Sequence, residues 1–402
     1  MYYFVGGYFF ILKVMKNYCF LCLIIISIFT AGCSSNEQKK EDLPFIDVRK
    51  NYPVKEIILT DIANLSYVHL NTVDDEYLYK GTISNVTKNS IVVYDEYSRS
   101  ILFFSKNGNP KSRFNRFGQG SEEYLYVERI FYDEEKDDVY VGDTMSKSVL
   151  VYSSKGDFKR KINLPPKTSV YSMVSFNDQS FYVYTGKTKT DLTSYSYVTF
   201  YQISKENGAV LDSLELPVNE VEVLFKSDQG ITLEPFITRM MKWADDVFLY
   251  NPENDTVFLY AQNKSLIPVL YQIPSVQDTE PMVYMSNCCE IGGYMFFDVV
   301  NLYFDLNSSL PKKPAVKHYV LDKINKIFRQ KIVLPDYKDK EFFIHSEIIY
   351  RNNVSNGCFF ELDLYELKQA YRENKLSGKL KELVSTLNED EDNNVFMLVE
   401  FK

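Results

Sequence analysis

The chain has 402 residues and carries 54 acidic against 45 basic side chains, which gives a formal net charge of −9. This acidic balance argues against nonspecific binding to nucleic acid, which requires clustered lysine and arginine. The 32 tyrosines and 29 phenylalanines stand against a single tryptophan, and such ring side chains favour the pleated, half-buried surface of a β-sheet. The composition therefore predicts a large globular protein of mainly β structure.

The N-terminal segment has the pattern of a secretory signal. Two lysines precede an apolar stretch over residues 19–29, which is too short to span a bilayer comfortably, and small residues then lead to Cys33. A positive start, a short apolar core and small residues before the cleavage point are typical of such a signal. The sequence therefore predicts that residues 1–32 are removed, with Met1 or Met15 as the start of translation.

The residues directly before Cys33 resemble a bacterial lipobox, in which the cysteine becomes the lipid-modified first residue. Thr30 stands where that motif usually has leucine. More than one acyl chain anchors a protein stably, because each buried methylene contributes about 0.8 kcal/mol. With the polar residues 33–52 as a flexible tether, the pattern predicts a protein anchored through its lipid to the outer membrane, at the periplasmic face or the cell surface. The alternative is an ordinary cleaved signal with an incidental cysteine.

Three further cysteines, Cys288, Cys289 and Cys358, follow Cys33 in the exported chain. An oxidising compartment permits one disulfide between the neighbouring pair and Cys358; three buried thiols are the alternative. The mature region contains no Cys-x-x-Cys pair, so no zinc site is predicted. No other metal and no cofactor is expected.

Two segments of the chain, residues 91–108 and 139–156, repeat each other, and Asp143 of the second copy follows Asp95 of the first by 48 residues. Each copy has the pattern of a strand, a tight turn, a strand, a glycine turn and a strand. A unit of this kind cannot bury both of its faces alone, so copies must stack; the period is typical of a four-stranded antiparallel propeller blade. Both aspartates are predicted to cap the hairpin turn through their side chains rather than to bind an ion.

Further strand patterns follow these two copies. They fall over residues 181–216, 247–260, 294–334 and 341–362. Between Leu364 and Leu387 the apolar spacing becomes helical, which predicts one or two short helices inserted in the last blade and broken near Gly378. The tail over residues 395–401 again has the pattern of a strand.

A strand pattern at each end of a circular repeat predicts that the terminal strand shares a blade with an N-terminal strand, because this pairing removes the exposed edge. The sequence therefore predicts an all-β fold, a six-bladed β-propeller over residues 53–402, with seven blades as the alternative.

The stretch Arg116–Tyr124 contains a Gly-Gln-Gly pattern followed by Glu-Tyr. It resembles the G-Q-G-P-G-E-Y pattern between the first blades of the six-bladed β-propeller lipoproteins of Bacteroides-type bacteria, which are NHL- or TolB-like propellers. Ser121 and Glu122 replace the proline and glycine of that pattern, and the acidic and asparagine-rich residues 388–394 look like the family's C-terminal region. The resemblance implies an exported, membrane-anchored propeller that handles glycans or peptides outside the cytoplasm.

The Gly-Gln-Gly loop is the candidate ligand site, because loops between blades gather around the central channel of a propeller. Its candidate binding residues are Arg113, Arg116, Gln119 and Glu123, which offer hydrogen-bond donors and an acceptor for a sugar or a carboxylate. The structural alternative is that the glycines form the crossover between two blades and that Glu123 caps backbone amides.

Three short triplets resemble the O-glycosylation sequon of exported Bacteroides-type proteins, with Thr144, Ser213 and Thr256 as acceptors. No catalytic residue is predicted, because neither Gly-x-Ser-x-Gly nor His-Glu-x-x-His occurs. The sequence thus predicts a noncatalytic binding or scaffold protein for a glycan or peptide. The alternatives are a glycosidase or lyase with carboxylates at the channel, and a platform that docks a protein partner on the helical insert.

Overall fold

Antiparallel sheets of consecutive strands make up most of the structure. It is a computed structural model that describes residues 43–402, with the exception of residues 74–75, 169, 171–172, 190–194, 218–224, 227–231, 234–238, 244–245, 252–253, 262, 303–314, 323, 325 and 345–356. The predicted signal, Cys33 and the first half of the predicted tether lie outside the described residues. The compact unit begins at Pro44, inside the segment predicted as a tether. Within the described part, no helix combines the length and the apolar character needed to cross a membrane.

The N-terminal segment supplies strands to three different sheets. Its elements are β1 (Phe45–Asp47), β2 (Val54–Ile58), helix α1 (Leu59–Ile62) and β3 (Ala63–His69). β1 and β2 each pair in parallel with a strand from much later in the chain, whereas β3 pairs antiparallel with the last strand.

The first two blades correspond to the sequence repeat. Blade 1 consists of β4 (Gly81–Val86), β5 (Ser90–Asp95), β6 (Ser100–Ser105) and β7 (Pro110–Phe114). Blade 2 consists of β8 (Val127–Asp133), β9 (Asp138–Asp143), β10 (Ser148–Tyr152) and β11 (Phe158–Asn163). Every residue of β5, β9 and β10 is buried, because neighbouring sheets cover both faces of these central strands, and this explains their continuous apolar sequence.

Blades 3 and 4 follow the same order of strands. Blade 3 consists of β12 (Val174–Asn177), β13 (Ser180–Lys189), β14 (Tyr195–Ser204) and β15 (Val210–Pro217), and a small hairpin of β16 (Phe225–Lys226) and β17 (Thr232–Leu233) comes next. Blade 4 consists of β18 (Arg239–Trp243), β19 (Asp246–Tyr250), β20 (Thr256–Tyr260) and β21 (Leu266–Ile273). β1 adds a fifth strand to blade 4 by pairing with β21.

Blade 5 begins after a short 3₁₀ helix, Val276–Asp278. Its strands are β22 (Met282–Ile291), β23 (Tyr294–Leu302), β24 (Ala315–Leu321) and β25 (Ile327–Val333). β2 and the short β26 (Glu341–Phe342) both pair with β25.

A last sheet, the closing sheet, joins the two ends of the chain. It consists of β27 (Gly357–Leu362), β28 (Val395–Phe401) and β3, with β28 in the middle. Helices α2 (Leu364–Arg372) and α3 (Gly378–Thr386) are inserted between β27 and β28. The predicted helical insert and the predicted pairing of the C-terminal strand with an N-terminal strand are both confirmed.

Apolar contacts link each sheet to the next around the molecule, and the closing sheet packs on blade 5 and on blade 1. Ring pairs cross the interfaces at centroid distances of 5.1 Å for Phe103–Tyr132, 5.2 Å for Tyr140–Phe181, 6.0 Å for Tyr182–Tyr260 and Tyr250–Tyr284, and 5.5 Å for Phe342–Phe360. The first strands of neighbouring blades, such as β4 and β8 or β18 and β22, contact each other. The fold is therefore a β-propeller with its first strands at the centre.

The predicted number of blades is wrong. The described residues form five blades of four or more strands, neither six nor seven, and the closing sheet has three strands. The predicted sixth blade began near Glu341, but Glu341 and Phe342 form β26, which extends blade 5. Residues 343–344 of that predicted strand are described but form no strand, and residues 345–350 lie outside the described residues.

A polar contact joins blades 1 and 2 at the turns that follow their first strands. The Glu134 carboxylate of blade 2 accepts hydrogen bonds from the Thr87 and Ser90 hydroxyls and from the backbone and side-chain N–H groups of Asn89. Burial acts to raise the pKa of Glu134, but the hydrogen bonds from Ser90 and Thr87 outweigh it and leave the pKa lowered. This carboxylate fixes the first turn of blade 1 on its neighbour.

The three described cysteines are buried free thiols. Cys288 and Cys289 lie in β22 of blade 5, and Cys358 lies in β27 of the adjacent closing sheet. Of the two alternatives that the sequence left open, the structure has the three buried thiols and not the disulfide. Burial raises the pKa of all three thiols, so they resist ionisation and reaction.

Candidate functional site

Two aspartates fix the hairpin tips of blades 1 and 2. In blade 1 the Asp95 carboxylate accepts hydrogen bonds from the backbone amides of Lys80, Tyr97 and Ser98, at 3.0, 3.1 and 3.2 Å. In blade 2 the Asp143 carboxylate accepts from the amides of Tyr126 and Ser146, at 2.7 and 3.1 Å. The predicted turn caps are confirmed. Each aspartate also holds the segment that enters the first strand of its own blade, which places Tyr126 beside the Asp143 tip.

A cleft of about 330 Å³ opens between the first strands of blades 1 and 2. Thr82 and Ser84 of β4 line one wall, and residues 126–131, mainly of β8, line the other. The blade 1 tip contributes Glu96 and Arg99 to the lining. A concave site with a few converging polar groups is the usual form of a ligand-binding site.

Tyr94 is the most deeply buried polar residue of the cleft lining. Its side chain is only 8% exposed, its hydroxyl lies next to the Arg99 guanidinium, and its O–H proton has no acceptor among the described residues. Burial raises the pKa of Tyr94, and the neighbouring Arg99 guanidinium partly offsets that rise. A buried hydroxyl without a partner costs about 1–3 kcal/mol, so a ligand group that satisfies it would recover stability that the free protein lacks.

Two exposed aromatic rings lie at the cleft: Tyr126 belongs to its lining, and Phe117 lies next to the lining residue Arg99. Phe117 is 47% exposed and Tyr126 is 58% exposed. The Arg99 guanidinium lies 5.9 Å from the centre of the Phe117 ring, a cation–π distance. Arg99 is held in the left-handed region at φ 62°, and its carbonyl accepts the Tyr124 hydroxyl at 2.7 Å. The backbone of the tip is therefore held in place, and the tip presents the Arg99 guanidinium beside flat apolar surface.

Across the cleft, Glu128 and Arg129 are neighbours in β8. The Glu128 carboxylate lies 3.5 Å from the Arg129 guanidinium, so these two charges compensate each other. Glu96 is exposed at the opposite tip. The cleft thus combines one compensated charge pair with charges of both signs at its mouth.

The predicted loop residues lie beside this cleft and do not line it. The Arg113 guanidinium donates to the Glu76 carbonyl at 3.0 Å, and Arg116 Nε donates to the Gly156 carbonyl at 2.8 Å. Gln119 is exposed. Arg113, Arg116 and Gln119 therefore do not form one pocket, although all three remain at the surface.

Glu123 caps the Gly-Gln-Gly loop, as the structural alternative proposed. Its carboxylate accepts the Gly120 amide at 2.8 Å. A Cβ at Gly118 would lie 1.9 Å from Glu123 Oε2, so the absence of a side chain there lets the carboxylate fold back. The Gly118 and Tyr124 backbones also pair with each other, which makes the loop a compact crossover from blade 1 to blade 2.

The three predicted glycosylation acceptors differ in exposure. Thr144 lies at the blade 2 tip and Ser213 in β15, and both are exposed. Thr256, at the start of β20, is buried, so a glycan could be attached there only before folding. In the part of the chain that the structure describes, no group of three or more His, Cys, Asp or Glu side chains is placed to bind a metal ion.

A second, more open groove of about 720 Å³ lies where the closing sheet, α3 and blade 1 meet. Lys106 and Glu400 line it together with His69, whose Nε2 lies 3.4 Å from the Asp392 carboxylate. Burial lowers the pKa of both His69 and Lys106, and the nearby carboxylates oppose that effect. Charges of both signs thus compensate each other along this groove.

The fold and the cleft define a β-propeller protein with a polar, aromatic-edged cleft between two blades. Within this class the chain belongs to the family DUF4934, a domain of unknown function, whose sequence pattern matches residues 43–400. No curated protein matches the chain in sequence.

Solved structures are similar to this chain at low sequence identity, and the first of them shares its fold. A Bacteroides fragilis protein described as exported is 19% identical, with 89% of this chain and 99% of that chain covered and a TM-score of 0.58. A DUF4221 family member from Bacteroides vulgatus is 12% identical, with 85% and 97% covered and a TM-score of 0.48. Virginiamycin B lyase from Staphylococcus aureus is 10% identical, with 70% and 89% covered and a TM-score of 0.35.

Proposed function

We propose that this protein is an exported, lipid-anchored propeller that binds a glycan or peptide outside the cytoplasm without transforming it. The observation that carries the proposal is the cleft between blades 1 and 2, whose lining combines the buried Tyr94 with the exposed charges of Glu96 and Arg99. Exposed Phe117 and Tyr126 supply flat apolar faces, and such rings with a polar edge suit both sugars and peptide side chains.

Export and anchoring are supported by the N-terminal pattern that ends at Cys33. The Bacteroides fragilis protein of similar fold, which is described as exported, agrees with this location. In cells fed a radiolabelled fatty acid, we expect label on the wild-type protein and none on Cys33→Ser. The variant should also move from the membrane fraction to the soluble fraction. Equal labelling of both proteins would contradict lipidation at this cysteine.

Binding is tested by screening the purified protein against arrays of glycans and peptides. Tyr126→Ala should lower the affinity for any ligand found by about tenfold, because it removes an exposed ring at the cleft mouth. Tyr365→Ala is the matched control, since Tyr365 is 65% exposed on α2, outside the cleft lining. Arg116→Ala tests the loop site separately. A ligand whose affinity falls only with Arg116→Ala would move the site to the Gly-Gln-Gly loop.

A carbohydrate-active enzyme is the second candidate, because Glu96 and Glu128 line the same cleft and paired carboxylates cleave glycosidic bonds. Binding is the better supported function, since Glu128 is engaged by Arg129 and Glu96 is exposed. Release of new reducing ends from a bound oligosaccharide, abolished in both Glu96→Gln and Glu128→Gln, would establish the enzyme instead.

Docking of a protein partner on the helical insert has less support. The insert buries the apolar side chains Leu367, Leu380 and Val384 against the propeller. Of the insert's large apolar side chains, Tyr365 is the exposed one, so the insert carries no apolar stripe of the kind that marks an interface.

A further inference from the structure

The charges around the cleft indicate which kind of ligand it accepts. The Arg129 guanidinium is compensated by Glu128 at 3.5 Å, whereas the ion pairs of the described residues leave the exposed Arg99 guanidinium without a carboxylate. Arg99 is therefore the cation of this cleft that is available to an anion. A guanidinium with free donors binds a carboxylate through two parallel hydrogen bonds.

We infer that the cleft recognises a carboxylate-bearing sugar, such as a uronic acid within a glycan; this inference rests on the proposed binding function. The sugar carboxylate is bound by Arg99, with the Tyr94 hydroxyl as a second donor. The Tyr94 side chain is buried beside Arg99, whose guanidinium can donate only to the hydroxyl oxygen. The Tyr94 O–H proton has no acceptor among the described residues, so donation to a carboxylate satisfies a donor that the free protein leaves unsatisfied.

The other cleft groups match the rest of such a sugar. The exposed Glu96 carboxylate accepts hydrogen bonds from sugar hydroxyls and repels a second carboxylate, which fixes the orientation of the ring. The Phe117 and Tyr126 rings offer flat surface to the apolar face of the sugar. A neutral sugar would offer Arg99 and Tyr94 only uncharged oxygens as acceptors, which form weaker hydrogen bonds with a guanidinium than a carboxylate does.

The backbone places Arg99 independently of any ligand. Its positive φ and the hydrogen bond from the Tyr124 hydroxyl to its carbonyl fix the tip, and Asp95 holds the same tip through three amides. Such preorganisation lowers the entropy lost on binding. Lys147 occupies the equivalent position of blade 2, also at positive φ, but does not line the cleft, and it therefore provides a matched control.

The test compares binding of oligogalacturonate with binding of its methyl ester, which removes the charge and keeps the sugar. We expect the acid to bind at least about tenfold more tightly than the ester. Added salt should lower the affinity for the acid and leave the affinity for the ester unchanged. Arg99→Gln should abolish that preference, and Lys147→Gln should keep it. Tyr94→Phe should weaken binding of the acid while leaving the unfolding temperature equal or higher, a combination that a merely structural tyrosine would not give.

Equal affinity for the acid and its ester, or an Arg99→Gln variant that retains the preference, would overturn the inference while leaving glycan binding intact. Tighter binding of an acidic peptide than of the acidic sugar would show that the ligand of the cleft is a peptide, which would overturn the inference. Absence of binding to every glycan and peptide tested would remove the proposed function together with this inference.

Discussion

The Asp95 carboxylate allows the contribution of a hairpin tip to stability to be measured. Asp95 is 5% exposed and accepts three backbone amides, two within its own turn and one from Lys80. Hydrogen bonds to a charged group contribute about 1.5–3 kcal/mol each when buried. The turn itself is exposed, so water can replace part of two of these bonds after substitution. We therefore expect Asp95→Ala to lower the free energy of unfolding by about 3 kcal/mol.

Urea unfolding followed by tyrosine fluorescence and circular dichroism measures this change. Asp95→Asn should lose about half as much stability as Asp95→Ala, because one side-chain oxygen remains an acceptor. Asp390→Ala is the control, since Asp390 is exposed near the C-terminus and should change stability by less than about 0.5 kcal/mol. If Asp95→Ala were as stable as this control, the carboxylate would not hold the tip.

Three other predictions follow from contacts described above. Burial lowers the pKa of His69 from its usual value of 6.5, so the unfolded chain binds a proton at this residue more readily than the folded chain does. The free energy of unfolding should therefore fall as the pH drops below about 6.5, and it should fall less steeply in His69→Gln. Glu134→Ala should cost about 2–3 kcal/mol in urea unfolding, because it removes four hydrogen bonds to blade 1; an unchanged midpoint would contradict this. Gly156→Ala should destabilise more than Gly292→Ala: both glycines have positive φ, but only at Gly156 would the new Cβ meet Phe114, at 2.6 Å. Equal losses in the two glycine variants would show that this contact relaxes.

The local features of the fold could be predicted from the sequence because they repeat or follow a period. Asp95 and Asp143 occupy the same place in two copies, and each caps its turn. The helical spacing after Leu364 gives α2 and α3. The strand at the C-terminus needed a partner for its edge, and β3 supplies it.

The blade count could not be predicted because it depends on pairings between distant short segments. β26 has only two residues, and nothing in Glu341 and Phe342 themselves distinguishes the edge of blade 5 from the start of another blade. β1 and β2 pair in parallel with strands more than 200 residues later, and such pairing leaves no local turn signal.

The candidate site was missed for a related reason. The Gly-Gln-Gly loop was the expected site because loops between blades gather around the central channel, yet Glu123 uses that loop for its own cap. Nothing in the sequence distinguishes Tyr94 from other residues of a buried strand, or Tyr126 from other exposed tyrosines. The signal that could have identified the cleft is the contrast at equivalent repeat positions, where Glu96 and Arg99 in blade 1 correspond to Thr144 and Lys147 in blade 2.

The N-terminal segment has a mechanical consequence. β1, β2 and β3 attach it to blade 4, blade 5 and the closing sheet in turn. A pull applied upstream of Pro44 would load β1 first, and the β3–β28 pairing would bear tension only after β1 and β2 had detached. The β1 and β2 pairings therefore protect the β3–β28 pairing, which closes the propeller, from force transmitted along the chain.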